Sequence, residues 1–139
     1  MTFIDNKNKK KIYLEYSDKD AEQIKMKYMG NEILLKKLGN GEILLSKLYS
    51  SDGILIEESF NKYSSNAVLS RNGYKIREWD VNISVHRSGI NNFYSFVDFV
   101  FGLAKNGKQK EMNLKKIWNT LTKILVENGH MEMIPEWQS

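Results

Sequence analysis

Ser84 and His86 lie two residues apart, and Asp80 precedes them on the same parity. A hydroxyl, an imidazole and a carboxylate are the groups that a nucleophile, a base and an orienting acid would need. In an extended strand all three point to one side, but Asp80 is then roughly three pleats from His86 and cannot orient its ring. No Gly-x-Ser-x-Gly elbow surrounds Ser84, so the three residues read as the polar face of a strand. His86 and His130 are the two histidines of the chain, and there is no cysteine. Structural zinc sites recruit cysteines or several histidines, so no metal and no cofactor are expected. Gly39-Asn40-Gly41 lacks the Lys-Ser/Thr of a phosphate loop and reads as a turn. Glu57 and Glu58 could join Asp98 in acid–base work only through a tertiary contact, and solvated charge is the simpler reading. The expectation is a protein that is not an enzyme.

The elements that carry these residues follow from periodicity. Trp79, Val81, Ile83 and Val85 alternate with Asp80, Asn82, Ser84 and His86, the two-residue period of a half-buried strand. Arg87-Ser88-Gly89 breaks the pattern, and an aromatic helix is expected over roughly 91–104. Its inward stripe is Phe93, Phe96, Val97 and Val100, with Tyr94 and Phe101 off it. Ile76 and Trp79 have opposite parity, which predicts a bulge near Arg77-Glu78 or a strand beginning only at Glu78. A strand that feeds a packed helix is the kernel of an α+β domain.

Upstream, Ile12, Leu14 and Tyr16 predict a strand over 11–16. Ser17 then reads as a helix N-cap, followed by Ala21, Ile24 and Tyr28 at helical spacing and by Gly30-Asn31 as a stop. Residues 32–38 (EILLKKL) and 42–48 (EILLSKL) form a near-repeat around Gly39-Asn40-Gly41, and Ile54-Leu55-Ile56 follows Ser51-Asp52-Gly53. Hairpin turns between short apolar runs predict a three-stranded meander; two short leucine-rich helices are the alternative. Asn72-Gly73 predicts another hairpin. A last helix runs from Asn113 as N-cap through Leu114, Ile117, Trp118, Leu121, Ile124 and Leu125 to Glu127-Asn128-Gly129. The tail His130–Ser139, with Met131, Met133, Ile134 and Trp137, is expected to dock. The expected fold is therefore α+β: a mostly antiparallel sheet of meander and hairpin, packed by one N-terminal and two C-terminal helices.

The 139 residues suit a single domain, 1–139, with 1–10 as a flexible basic arm. Such a domain buries about 65–70% of its unfolded surface without needing staples. MTFIDNKNKKK holds no apolar signal-peptide core and no apolar run approaches the ~20 residues of a membrane span, so a cytoplasmic protein without membrane contact is expected. The net charge of +4 is local, matched by Lys7, Lys9, Lys10 and Lys11. A second basic stretch holds Lys105, Lys108, Lys110, Lys115 and Lys116. Both read first as solvated surface and second as a contact for nucleic acid or anionic lipid.

The segment GYKIREWDVNISVHRSGINNFYSFVDFVFGL, with Arg77-Glu78-Trp79 on its strand and the aromatic helix beyond a spacer, resembles parts of small bacterial immunity proteins of contact-dependent growth inhibition and other polymorphic toxin systems. The resemblance covers about thirty of the 139 residues. It implies a small cytosolic domain that binds one cognate toxin domain and blocks it. Inhibitors of nuclease toxins are often acidic, whereas this chain is net basic, so a local acidic patch would have to do the binding. Glu57, Glu58, Glu78 and Asp80, with Phe60 and Trp79 as aromatic anchors, are the available set. The alternative function is a small basic nucleic-acid-binding or mobile-element regulatory module that uses Lys7, Lys9, Lys10 and Lys11.

Overall fold

Alternation of apolar and polar residues governs roughly the first three-fifths of the chain, and it produces one antiparallel sheet. The computed structural model describes residues 2–5, 10–61, 64–82, 87–108 and 112–127. Its strands are β1 (Thr2–Asp5), β2 (Lys10–Ser17), β3 (Gln23–Tyr28), β4 (Asn31–Lys37), β5 (Ile43–Tyr49), β6 (Ile54–Phe60), β7 (Ser64–Arg71) and β8 (Tyr74–Asn82). They pair in chain order as an eight-stranded antiparallel meander. Helices α1 (Arg87–Lys105) and α2 (Leu114–Glu127) follow.

The turns are where the sequence demands them. Met29-Gly30 and Asn72-Gly73 both have positive φ at two successive residues, the geometry whose twist matches paired strands. Asn61 closes the β6–β7 loop by accepting the Ser64 N–H at 2.7 Å through Oδ1.

One face of the sheet is the core. Across it run three rows of paired residues: Ile12, Tyr28, Asn31, Tyr49, Ile54, Arg71 and Tyr74; then Leu14, Met26, Ile33, Lys47, Ile56, Leu69 and Arg77; then Tyr16, Ile24, Leu35, Leu45, Glu58, Ala67 and Trp79. Both helices lay their apolar stripes here. Phe93, Val97, Val100 and Phe101 of α1 join Leu114, Ile117, Trp118, Leu121 and Leu125 of α2 in one cluster with the strand residues. Each fully buried Leu, Ile or Phe contributes about 1.5–3 kcal/mol relative to exposure.

The N-terminal helix expected after Ser17 is absent. Residues 23–28 form β3, because Ile24, Met26 and Tyr28 alternate with Lys25 and Lys27 and are all buried. The helical reading passed over Met26, which fits a two-residue period and pairs with Leu14 and Ile33. The meander over 32–56 forms as strands β4, β5 and β6 rather than short helices. In α1, Phe101 is in the core against Tyr16, with ring centres 6.3 Å apart, while Phe99 is exposed. Helix α1 also begins at Arg87, within the expected break. The β7–β8 register shifts between Leu69 and Ser70, where Arg77 and Lys75 are the partners. Ile76 is thus the extra residue of the bulge, just before the expected position.

Candidate functional site

The second face of the sheet carries the residues of opposite parity, and no described element packs on it. Leu34, Leu44, Leu48, Leu55 and Val68 are half-buried there and belong to neither the core cluster nor its packed fringe. Leu48 is opposite Leu55, Leu34 is opposite Ser46, Leu44 lies between Lys36 and Ser59, and Glu57 lies between Ser46 and Val68. Apolar residues at both parities of β4 and β5 are the signal that could have revealed this face, because a strand with one solvated side should alternate cleanly.

Glu57 stands within the apolar strip, Glu78 and Asp80 lie on its β8 side with Lys75 3.2 Å from Glu78, and lysines predominate on the other side. On the β6–β8 side, Glu57 is paired with Val68 and Val68 with Glu78. The two carboxylates therefore share the face two strands apart, roughly 9–10 Å. Asp80 sits in the next row beside Asn66, whose Nδ2 donates to Asp80 Oδ1 at 3.0 Å. On the other side lie Lys25, Lys27 and Lys36, with Glu32 4.0 Å from Lys25.

Of the six candidate contact residues, the fold brings Glu57, Glu78 and Asp80 to this outer face. Glu58 and Phe60 have the opposite parity and are buried in the core at 0% and 2% exposure. Trp79 also points to the core face, half-buried, with the Arg77 guanidinium 5.4 Å from its ring centre. Asp98 is 3.4 Å from Lys37, which also lies 3.7 Å from Glu22, and Glu22 is 3.4 Å from Lys105. Asp98 therefore ties α1 to the sheet rather than to Glu57 or Glu58.

Ser84, His86, His130, Lys7, Lys9, Lys110 and the tail lie outside the described residues. Lys10 and Lys11 are part of β2, paired with Asp5 and Ile4 of β1. No group of three metal-ligating side chains occurs among the described residues. No described helix is long and apolar enough to cross a membrane.

The core face holds its own polar device. Lys47 is buried under α2, where its ammonium donates to Thr122 Oγ1 at 3.0 Å and lies 4.8 Å from the Tyr49 ring centre and 5.0 Å from that of Trp118. Burial lowers its pKa to about 8 and raises that of the Tyr49 phenol to about 12. Lys115 extends this ladder by donating to the Tyr28 hydroxyl at 2.6 Å, and Tyr28 meets Trp118 edge-on. On the solvent side of α2, Asn113, Lys115, Lys116, Asn119, Thr120 and Lys123 line an open hollow of about 420 Å³. No protein-family model, curated protein or solved structure matches this chain.

Proposed function

We propose that this chain is a binding protein: a toxin-neutralising immunity protein that acts as a stoichiometric inhibitor of a cognate bacterial toxin domain in the cytoplasm. One observation carries the reading. The outer face of the sheet sets Leu34, Leu44, Leu48, Leu55 and Val68 around Glu57, with Glu78 and Asp80 on the β8 side and Lys25, Lys27 and Lys36 on the other. A desolvated centre with a polar rim is the anatomy of a protein interface. Lys75 is 3.2 Å from Glu78 on this side, so Glu57 and Asp80 offer the local negative charge that a net basic inhibitor needs to meet a cationic toxin cleft. The immunity-like segment contributes Glu78 and Asp80 to it.

The test is calorimetry with the protein encoded beside this one. Charge reversal at Glu57 together with Leu48→Asp should weaken binding at least tenfold while leaving the fold intact. Unchanged affinity would reject the face.

A second reading, a basic nucleic-acid-binding module, rests on the lysines around the α2 hollow. Lys105, outside the hollow, is offset by Glu22 at 3.4 Å, and Lys115 is held against the Tyr28 hydroxyl. Steeply salt-dependent binding to DNA or RNA, lost in Lys116→Ala/Lys123→Ala, would favour it.

A further inference from the structure

Strand β8 separates its charges by face. Glu78 is opposite Val68 and Asp80 opposite Asn66, on the outer face, and Lys75 opposite Ser70 joins them there. Tyr74 is opposite Arg71, Arg77 opposite Leu69 and Trp79 opposite Ala67, on the helix-bearing face. These six positions hold two guanidinium groups, two aromatic rings and no carboxylate. Glu58 on β6 is the one acid in the three rows of this face, and it is fully buried.

The order along β8 is ring, cation, ring. Arg71, Leu69 and Ala67 are successive same-face positions of β7, and Tyr74, Arg77 and Trp79 stay in step with them because Ile76 is taken up in the bulge. Each step is therefore roughly 6.6 Å, two residues of strand. Exposure rises along the column. Trp79 is half-buried against the core, Arg77 is exposed, and Tyr74 is 79% exposed. The Arg77 guanidinium lies 5.4 Å from the Trp79 ring centre, within cation–π range. A planar cation held over a ring has less freedom to lose when it meets an anion.

We infer that this column, Tyr74, Arg77 and Trp79 with Arg71 beside it, is a binding site for single-stranded nucleic acid. Rings interleaved with cations suit an unpaired strand, because bases stack on rings while phosphates meet guanidinium groups. Tyr74 stacks a base, Arg77 and Arg71 meet phosphates, and Trp79 steadies Arg77. A duplex keeps its bases stacked on one another and offers Tyr74 no face. An acidic peptide would meet the arginines and leave the exposed ring without a planar partner. The site is separate from the outer face, where Glu57 and the leucine strip lie, and from the lysines around the α2 hollow.

The test is fluorescence anisotropy at low salt with two labelled probes, oligothymidylate and oligouridylate, each about ten nucleotides long. The pair of probes separates DNA from RNA as the source of the strand. At least one should bind, and an unlabelled duplex should compete poorly. Two arginine–phosphate contacts predict a slope of log affinity against log salt of about −1.4, at roughly −0.7 per contact. Arg77→Ala should weaken binding and flatten that slope by about 0.7. Tyr74→Ala should weaken binding about fivefold or more, whereas Tyr74→Phe keeps the ring and the affinity. Lys116→Ala/Lys123→Ala should bind as the native chain does. No binding of either probe, a duplex that competes equally, or a Tyr74→Ala variant as tight as the native chain would each overturn the inference. So would displacement by polyglutamate as readily as by unlabelled oligonucleotide, or binding lost in the α2 variant and kept in Tyr74→Ala. Tyr74 and Arg77 are exposed, and unchanged circular dichroism confirms that their variants fold.

Discussion

Lys47 on β5 holds its ammonium 5.0 Å from the indole centre of Trp118 on α2, so one cation joins sheet and helix inside the core. Its pKa falls to about 8 through burial, whereas in the unfolded chain it titrates near its ordinary 10.5. Between these values the unfolded state holds more protons, and stability therefore rises with pH across that window. The neighbouring Tyr49 phenol, pushed up to about 12 from 10.0, acts in the opposite sense. Above pH 10 the unfolded phenol ionises first, and stability falls.

The expected result is a stability maximum near pH 10 in urea unfolding followed by tryptophan fluorescence. Lys47→Met keeps the buried stem and removes the titrating amine. The rise between about pH 8 and 10 should then be missing from the variant's curve and stand out in the difference between native and variant curves. A rise of equal size in Lys47→Met would show that Lys47 does not cause it.

Glu57 and Glu58 are chain neighbours with opposite fates. Glu57 faces out between Ser46 and Val68, while Glu58 is fully buried between Leu45 and Ala67. Glu58→Lys should destabilise the fold by about 3–5 kcal/mol, because it places a mismatched charge in the core. Glu57→Lys should stay within about 0.5 kcal/mol, as surface substitutions do. Urea midpoints of the two variants decide this, and equal midpoints would contradict the assigned parity.

Met29 opens the β3–β4 turn at φ 51° with its side chain exposed. A left-handed conformation costs a non-glycine residue about 1–2 kcal/mol, and asparagine tolerates it best. Met29→Asn, which recreates the Asn-Gly order of 72–73, should stabilise the protein by about 1 kcal/mol. Thermal unfolding should show a higher midpoint; a lower one would mean that Met29 makes a contact the turn needs.

The amino-acid sequence by itself determined the elements whose signals are local. Asn72-Gly73 and Gly39-Asn40-Gly41 mark hairpins through backbone conformations that few other residues accept. The stripe from Leu114 to Leu125 marks a helix through its period. Ile24, Met26 and Tyr28 mark a strand over 23–28 in the same local way once Met26 is counted. Two matters were decided only by tertiary structure. Alternation in β6 showed that Glu57 and Glu58 differ, but not which faced the core. Burial of Ile54, Ile56 and Phe60 beneath the helix-covered face settles it. The position of β8 at the end of the sheet, among the described residues, depends on strand order. Strand order is a relation between distant segments, set by pairing and burial summed over the whole sheet, and no local pattern encodes it.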